Sequence, residues 1–184
     1  MTEIIKIYRQ NVDALKFIGK KYDNANRTNG TFKIKVKWDE WFENRWFEIV
    51  ENKINGSPDD TCEDGSAYIG LTLNEPGKPF QYWIGMFAPE NTEIPEGFDY
   101  IDFPKSELGV CWVYGKEEHI FLMNEGIGII DQCNEKLKKE GMCHVHDKDN
   151  VCYAFERYVC PRFTTPDEKG NIILDVCFFM NFQY

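Results

Sequence analysis

The order of apolar runs along this chain constrains its fold more than any single motif does. Residues 4–8 alternate loosely between apolar and polar, and after Gln10-Asn11 the pattern resumes over 14–19, as in a long strand that is bulged or broken. Residues 67–73 and 80–87 read as two strands joined by the hairpin chemistry of Glu75-Pro76-Gly77-Lys78-Pro79. Between these runs Trp38, Trp41, Phe42, Trp46, Ile49, Val50 and Ile54 recur at three- and four-residue steps, which predicts a helix ended by Asn55-Gly56-Ser57-Pro58. After the linker 89–95 the same order returns. Residues 98–103 and 108–114 form a strand interrupted at Pro104-Lys105-Ser106, a second helix is predicted over 119–139 with Gly141 as its cap, and strands follow over 153–159 and 172–179.

The chain therefore reads as α+β: one domain over residues 1–184, built from two strand–helix–strand–strand repeats at about 3–88 and about 97–182. The repeat lies in the order of elements, with negligible identity between the copies. Two such units pair their antiparallel sheets about a pseudo-twofold axis. Helices would then cover one face, and the concave face opposite would hold a central groove between the halves. The stretches 23–30 and 59–66 read as loops by composition, the second as a solvated acidic loop without the ligand spacing of a calcium site.

One strand breaks its own pattern. Residues 153–159 (Tyr-Ala-Phe-Glu-Arg-Tyr-Val) carry Glu156 far from any turn signal. Alternation places Glu156 on the face of Ala154 and Tyr158, with Tyr153, Phe155, Arg157 and Val159 on the other. A carboxylate removed from water needs a compensating partner. The residues alone leave two readings open: Glu156 is solvated or paired within the chain, or it waits for a cationic or polar small molecule. The second reading draws on an aromatic fraction of 15%, with 14 Phe, 9 Tyr and 5 Trp, enough to fill a core and also line a pocket. Tyr158, Trp112, Tyr114, Trp83 and Phe178 are the candidate walls. Trp112 and Tyr114 share one face of their strand. For Trp83, Phe178 and the three helix tryptophans, ordinary core packing is the competing explanation.

Charge narrows the partners. A net charge of −10 repels phosphate backbones, so no direct nucleic-acid contact is expected, and the same field favours cations. No apolar run reaches membrane-spanning length, and residues 1–20 carry Glu3, Lys6, Arg9 and Asp13, so no membrane partner is expected. Seven cysteines, an odd number without C-x-x-C spacing, fit a reduced, cytoplasmic setting. Cys143, His144 and His146 sit close in sequence, but no fourth ligand is spaced distinctively, so neither a metal nor a cofactor is expected.

Taken in order, Ile84-Gly85, Pro95-Glu96-Gly97-Phe98-Asp99-Tyr100, Phe103-Pro104, Gly109-Val110-Cys111-Trp112, the second helix and Phe155-Glu156-Arg157-Tyr158 resemble the GyrI-like effector-binding domain. That family also supplies the drug-sensing part of BmrR/Rob-type transcription regulators. The resemblance covers nearly the whole chain from Ile4 to Phe179. It implies two fused modules with a central groove in which the acid at Glu156 meets lipophilic cations. Neither predicted helix has the two-helix spacing or basic face of a DNA-binding unit, so the chain is expected to be a stand-alone binder of amphipathic, cationic, drug-like effectors. Two alternatives follow from the same resemblance. One is a metal-independent hydrolase of small electrophiles using Glu156 as acid or base; the other is a module that acts on a protein partner in the manner of gyrase inhibitors.

Overall fold

The computed structural model describes residues 2–23, 33–57, 59, 62–121 and 128–184. The loop expected at 24–30 lies outside them. The chain is α+β, with β1 (Glu3–Val12), β2 (Leu15–Asp23), α1 (Lys33–Glu43), α2 (Trp46–Glu51), β3 (Tyr68–Asn74), β4 (Gln81–Pro89), β5 (Asp99–Phe103), β6 (Lys105–Gly115), α3 (Glu117–Ile120), α4 (Ile129–Lys139), β7 (Cys152–Tyr158) and β8 (Ile172–Gln183). All eight strands form one antiparallel sheet in the order β1-β6-β8-β7-β3-β4-β2-β5. Among the described residues no helix is long and apolar enough to cross a membrane.

The strand order is the same read from either end once β1 is matched with β5, β6 with β2, β8 with β4 and β7 with β3. The β3–β7 pair lies at the centre, where the pseudo-twofold relation puts it. The edges are exchanged: β1 pairs with β6 of the second half and β5 with β2 of the first. This exchange curls the sheet. Val12 and Leu15 are joined by only two residues, yet β1 and β2 are the first and seventh strands. In a flat sheet they would stand about 29 Å apart, whereas two residues reach about 11 Å.

Curling gives the sheet a concave inner face. Phe17, Leu71, Trp83, Phe87, Phe103, Leu108, Val110, Tyr153, Phe155, Cys177 and Phe179 pack into one cluster that contains no helix residue. Phe103 stacks on Phe179 with centroids 4.6 Å apart, and Phe87 meets Phe155 edge-on at 5.2 Å. The concave face anticipated as the open pocket is thus filled by the sheet's own aromatic side chains.

The outer face carries the helices in two separate layers. Trp41, Phe47, Tyr82 and Ile84 form one cluster under α1 and α2. Cys111, Cys133, Leu137, Leu174, Val176 and Phe178 form another under α3 and α4. The helix anticipated over 38–54 is broken at Arg45, which adopts φ 54. In a continuous helix Trp41 and Phe47 would lie about 120° apart. The break turns both inward, to 0% and 2% exposure, and leaves Phe42 and Ile49 at 56% and 41%. The second helix also differs from the one anticipated over 119–139: α3 is a single turn, α4 starts at Ile129, and residues 122–127 lie outside the description. Gly141 at φ 73 does end α4, with its N–H and that of Met142 bonded back to Lys138 and Leu137.

Candidate functional site

β7 runs between the two helical layers, and its side chains alternate between two chemically different environments. Its register with β3 sets Glu156 opposite Gly70, and its register with β8 sets Glu156 opposite Val176. Glu156 therefore points outward, at the seam between the layers, and is 8% exposed. Two tyrosine hydroxyls donate to its Oε2: Tyr82 at 3.0 Å from β4 and Tyr158 at 2.9 Å from β7 itself. Tyr82 belongs to the cluster under α1 and α2; Tyr158 packs on the cluster under α3 and α4. The acid is thus held by one phenol from each half.

Gly70 makes this geometry feasible. A Cβ there would overlap the Tyr82 hydroxyl and lie 2.9 Å from Glu156 Oε2, so the phenol occupies the space a side chain would fill. Aromatic rings close the site above. Trp38 of α1 meets Tyr158 edge-on at 4.8 Å, Phe163 meets its ring at 4.7 Å, and Phe47 lies flat on Tyr68 at 3.5 Å.

The electrostatics follow from burial. Desolvation pushes the Glu156 carboxyl up, while the hydrogen bonds from Tyr158 and Tyr82 pull it down; burial prevails. Burial, reinforced by the adjacent carboxylate, raises both phenols well above their ordinary range, so they remain donors. Among the described residues no Lys or Arg forms an ion pair with Glu156. Among these residues neutral donors alone face the acid.

Across the sheet, Arg157 enters the inner face and is fully engaged. It donates to Asp175 Oδ2 at 2.8 and 3.1 Å, to Gln10 at 3.0 Å, to the Glu63 carbonyl at 3.1 Å and to Tyr8 at 3.3 Å. Arg162 bridges Asp175 and Asp64. Burial works against the Arg157 charge, and its anionic neighbours, Asp175 among them, outweigh it. Asp64 comes from the loop anticipated as solvated; its end is instead locked into this network.

The anticipated site residues divide between the two faces. Glu156 and Tyr158 meet. Phe178 shares their face, opposite Ala154, and packs edge-on against His144 at 5.1 Å. Trp83 lies in the inner core, its indole N–H bonded to Gln81. Trp112 also faces inward, beside Tyr8. Tyr114 follows the parity of Trp112 and donates to Asp167. The sheet therefore stands between Glu156 and Trp83, Trp112 and Tyr114, so these three do not join it in one chamber. Sequence reasoning missed Tyr82, Gly70 and Trp38. Alternation does put Tyr82 and Trp83 on opposite faces of β4, but the register that brings Tyr82 to Glu156 is a tertiary fact. His144 turns to Cys152 Sγ at 3.4 Å and to the Tyr153 carbonyl at 3.0 Å. Among the described residues no three His, Cys, Asp or Glu side chains converge as a metal site.

No protein-family model and no curated protein sequence matches this chain. Solved structures do. A Staphylococcus aureus MU50 protein provisionally named a bacterial transcription regulation protein aligns over 96% of this chain and 98% of its own, with 17% identity and a TM-score of 0.58. SAV2435, solved bound to tetraphenylphosphonium, aligns over 96% and 94%, with 17% identity and a TM-score of 0.63. An integron cassette protein of Vibrio cholerae aligns over 98% and 99%, with 14% identity and a TM-score of 0.50. At such identities the likeness is one of fold, and it spans nearly the full length of all three.

Proposed function

We propose that this protein is a stand-alone, GyrI-like binder of amphipathic cations, with Glu156 as the charge that receives them. The observation that carries the reading is a buried carboxylate held by two phenols and, among the described residues, by no cation. Both hydroxyls converge on Oε2, and in this reading Oε1 is the atom that meets the guest. A cation against aromatic faces gains about 0.5–2 kcal/mol per ring, and Tyr158, Trp38 and Phe163 supply such faces here. The likeness in fold to a protein solved with tetraphenylphosphonium supports the choice of ligand class. In this reading residues of about 3–88 and 97–182 are the two repeats, and the ligand sits between them at their central strands.

Titration with tetraphenylphosphonium, followed by calorimetry, tests the reading. Wild type binds saturably, and Glu156→Gln, which keeps the shape and loses the charge, binds at least about tenfold more weakly. Equal affinity in both proteins would refute it.

A second reading, hydrolysis of small electrophiles, is favoured by one feature: a carboxyl raised by burial beside two hydroxyl donors is an arrangement suited to general acid catalysis. Turnover of an epoxide or activated-ester panel by wild type, and not by Glu156→Gln, is its signature.

A further inference from the structure

The inner face ends in a cluster that the cation site does not use. The carboxylates there are fully engaged. Asp175 Oδ1 takes Arg162, its Oδ2 takes both Arg157 and Arg162, and each oxygen of Asp64 takes Arg162. Two donors remain over, and both lie on Trp112. Among the described residues its buried indole Nε1 makes no well-formed hydrogen bond, and the Tyr8 hydroxyl is the acceptor it leans on. Lys6 holds its Nζ 4.1 Å from the Trp112 ring centroid and 4.5 Å from that of Tyr8, and no described carboxylate pairs with it. Arg162 approaches the same indole at 4.8 Å. Two cations thus lie over one ring whose N–H is poorly satisfied.

We propose that this cluster binds a small oxyanion, a carboxylate or a phosphate group, held between Lys6 Nζ and Trp112 Nε1 with Arg162 as a second positive neighbour. The chemistry is that of charge-assisted hydrogen bonding, in which ammonium and indole donors share an anionic oxygen. It accounts for a lysine parked on aromatic rings in a chain of charge −10, where carboxylate partners are plentiful. The site lies across the sheet from Glu156 and does not depend on the cation reading. Its occupant has the opposite sign, because the groups that face it are the Lys6 ammonium and the Trp112 indole N–H.

Indole N–H resonances report on it directly, since the chain has five tryptophans and therefore five such signals. The full chain, labelled with nitrogen-15, is titrated in parallel with sodium acetate, sodium phosphate and sodium chloride, and the Trp112 signal is assigned from Trp112→Phe. A saturable shift of that signal alone, with acetate or phosphate and not with chloride, is the expected result. The oxyanion that gives the tighter curve names the ligand group. Lys6→Gln, at an exposed position, should fold normally and weaken the binding about tenfold. If all five signals drift together without saturation, or chloride acts as acetate and phosphate do, or Lys6→Gln leaves the curve unchanged, the proposal falls.

Discussion

Glu156 and Arg157 are adjacent in sequence, both buried, and opposite in charge and in face, yet the protein treats them differently. Arg157 is surrounded by carboxylate, carbonyl and hydroxyl acceptors from three other segments, β1, the 62–66 loop and β8, so its charge is answered within the fold. Glu156 receives two neutral hydroxyls and, among the described residues, no cation. A buried base that is fully paired is a structural element, whereas a buried acid met only by neutral donors keeps a charge available for something else. The two sides of one strand thus separate what holds this molecule together from what it offers to a ligand.

The sharpest way to break that contrast is to remove Asp175. Asp175→Asn leaves Arg157 and Arg162 in the interior without their shared carboxylate, and a loss of about 3–5 kcal/mol is expected in urea unfolding. A loss below about 1 kcal/mol would mean that the inner network is not the structural side of the pair.

Gly70→Ala comes next. The new methyl displaces the Tyr82 hydroxyl from Glu156, at an expected cost of about 1–3 kcal/mol, together with loss of tetraphenylphosphonium binding. Unchanged melting and binding would show that Tyr82 is not essential to the seam.

Glu156→Gln should behave unlike Asp175→Asn. Burial raises the Glu156 pKa above its unfolded value, so the folded state binds more protons than the unfolded one between the two values. Stability from this group is therefore lost as pH rises from the ordinary carboxylate range through the raised folded pKa. Melting curves across that window should show Glu156→Gln gaining on wild type as pH increases. Cation affinity of the wild type should rise over the same window, because the carboxylate form is the one that binds. A pH-independent difference between the two proteins would contradict this assignment.

The smallest effect belongs to Tyr158→Phe. It removes one donor to Oε2, raises the Glu156 pKa further and shifts the affinity–pH curve to higher pH, with a stability change of about 0.5–1.5 kcal/mol. A curve that does not move would leave Tyr82 as the single phenol that tunes the acid.

Much of the architecture was legible along the chain. The two-residue period exposed the strands, and within 153–159 it put Glu156 and Tyr158 on one face and Arg157 on the other, as the structure has them. The helices were less legible. Their apolar periodicity continues across Asn44 and Arg45, so nothing local marks the left-handed turn that brings Trp41 and Phe47 into one cluster. Alternation also cannot say which face of one strand joins which face of another. Sequence alone therefore groups Trp83 and Trp112 with Glu156, although they sit across the sheet from it, and gives no sign of Tyr82, next to Trp83 in the chain.

What the linear order of residues determined by itself was the menu: six strands, two of them interrupted, a helix after the first strand of each half, and an acid misplaced in an aromatic strand. Those are consequences of side-chain period and solvation, which act over a few neighbours. Which phenols reach that acid, and which arginine is shut away behind it, was decided only by the pairing and curling of the sheet. Register and curvature bring β4, β7 and β8 together from distant points in the chain, and no local pattern encodes such distances.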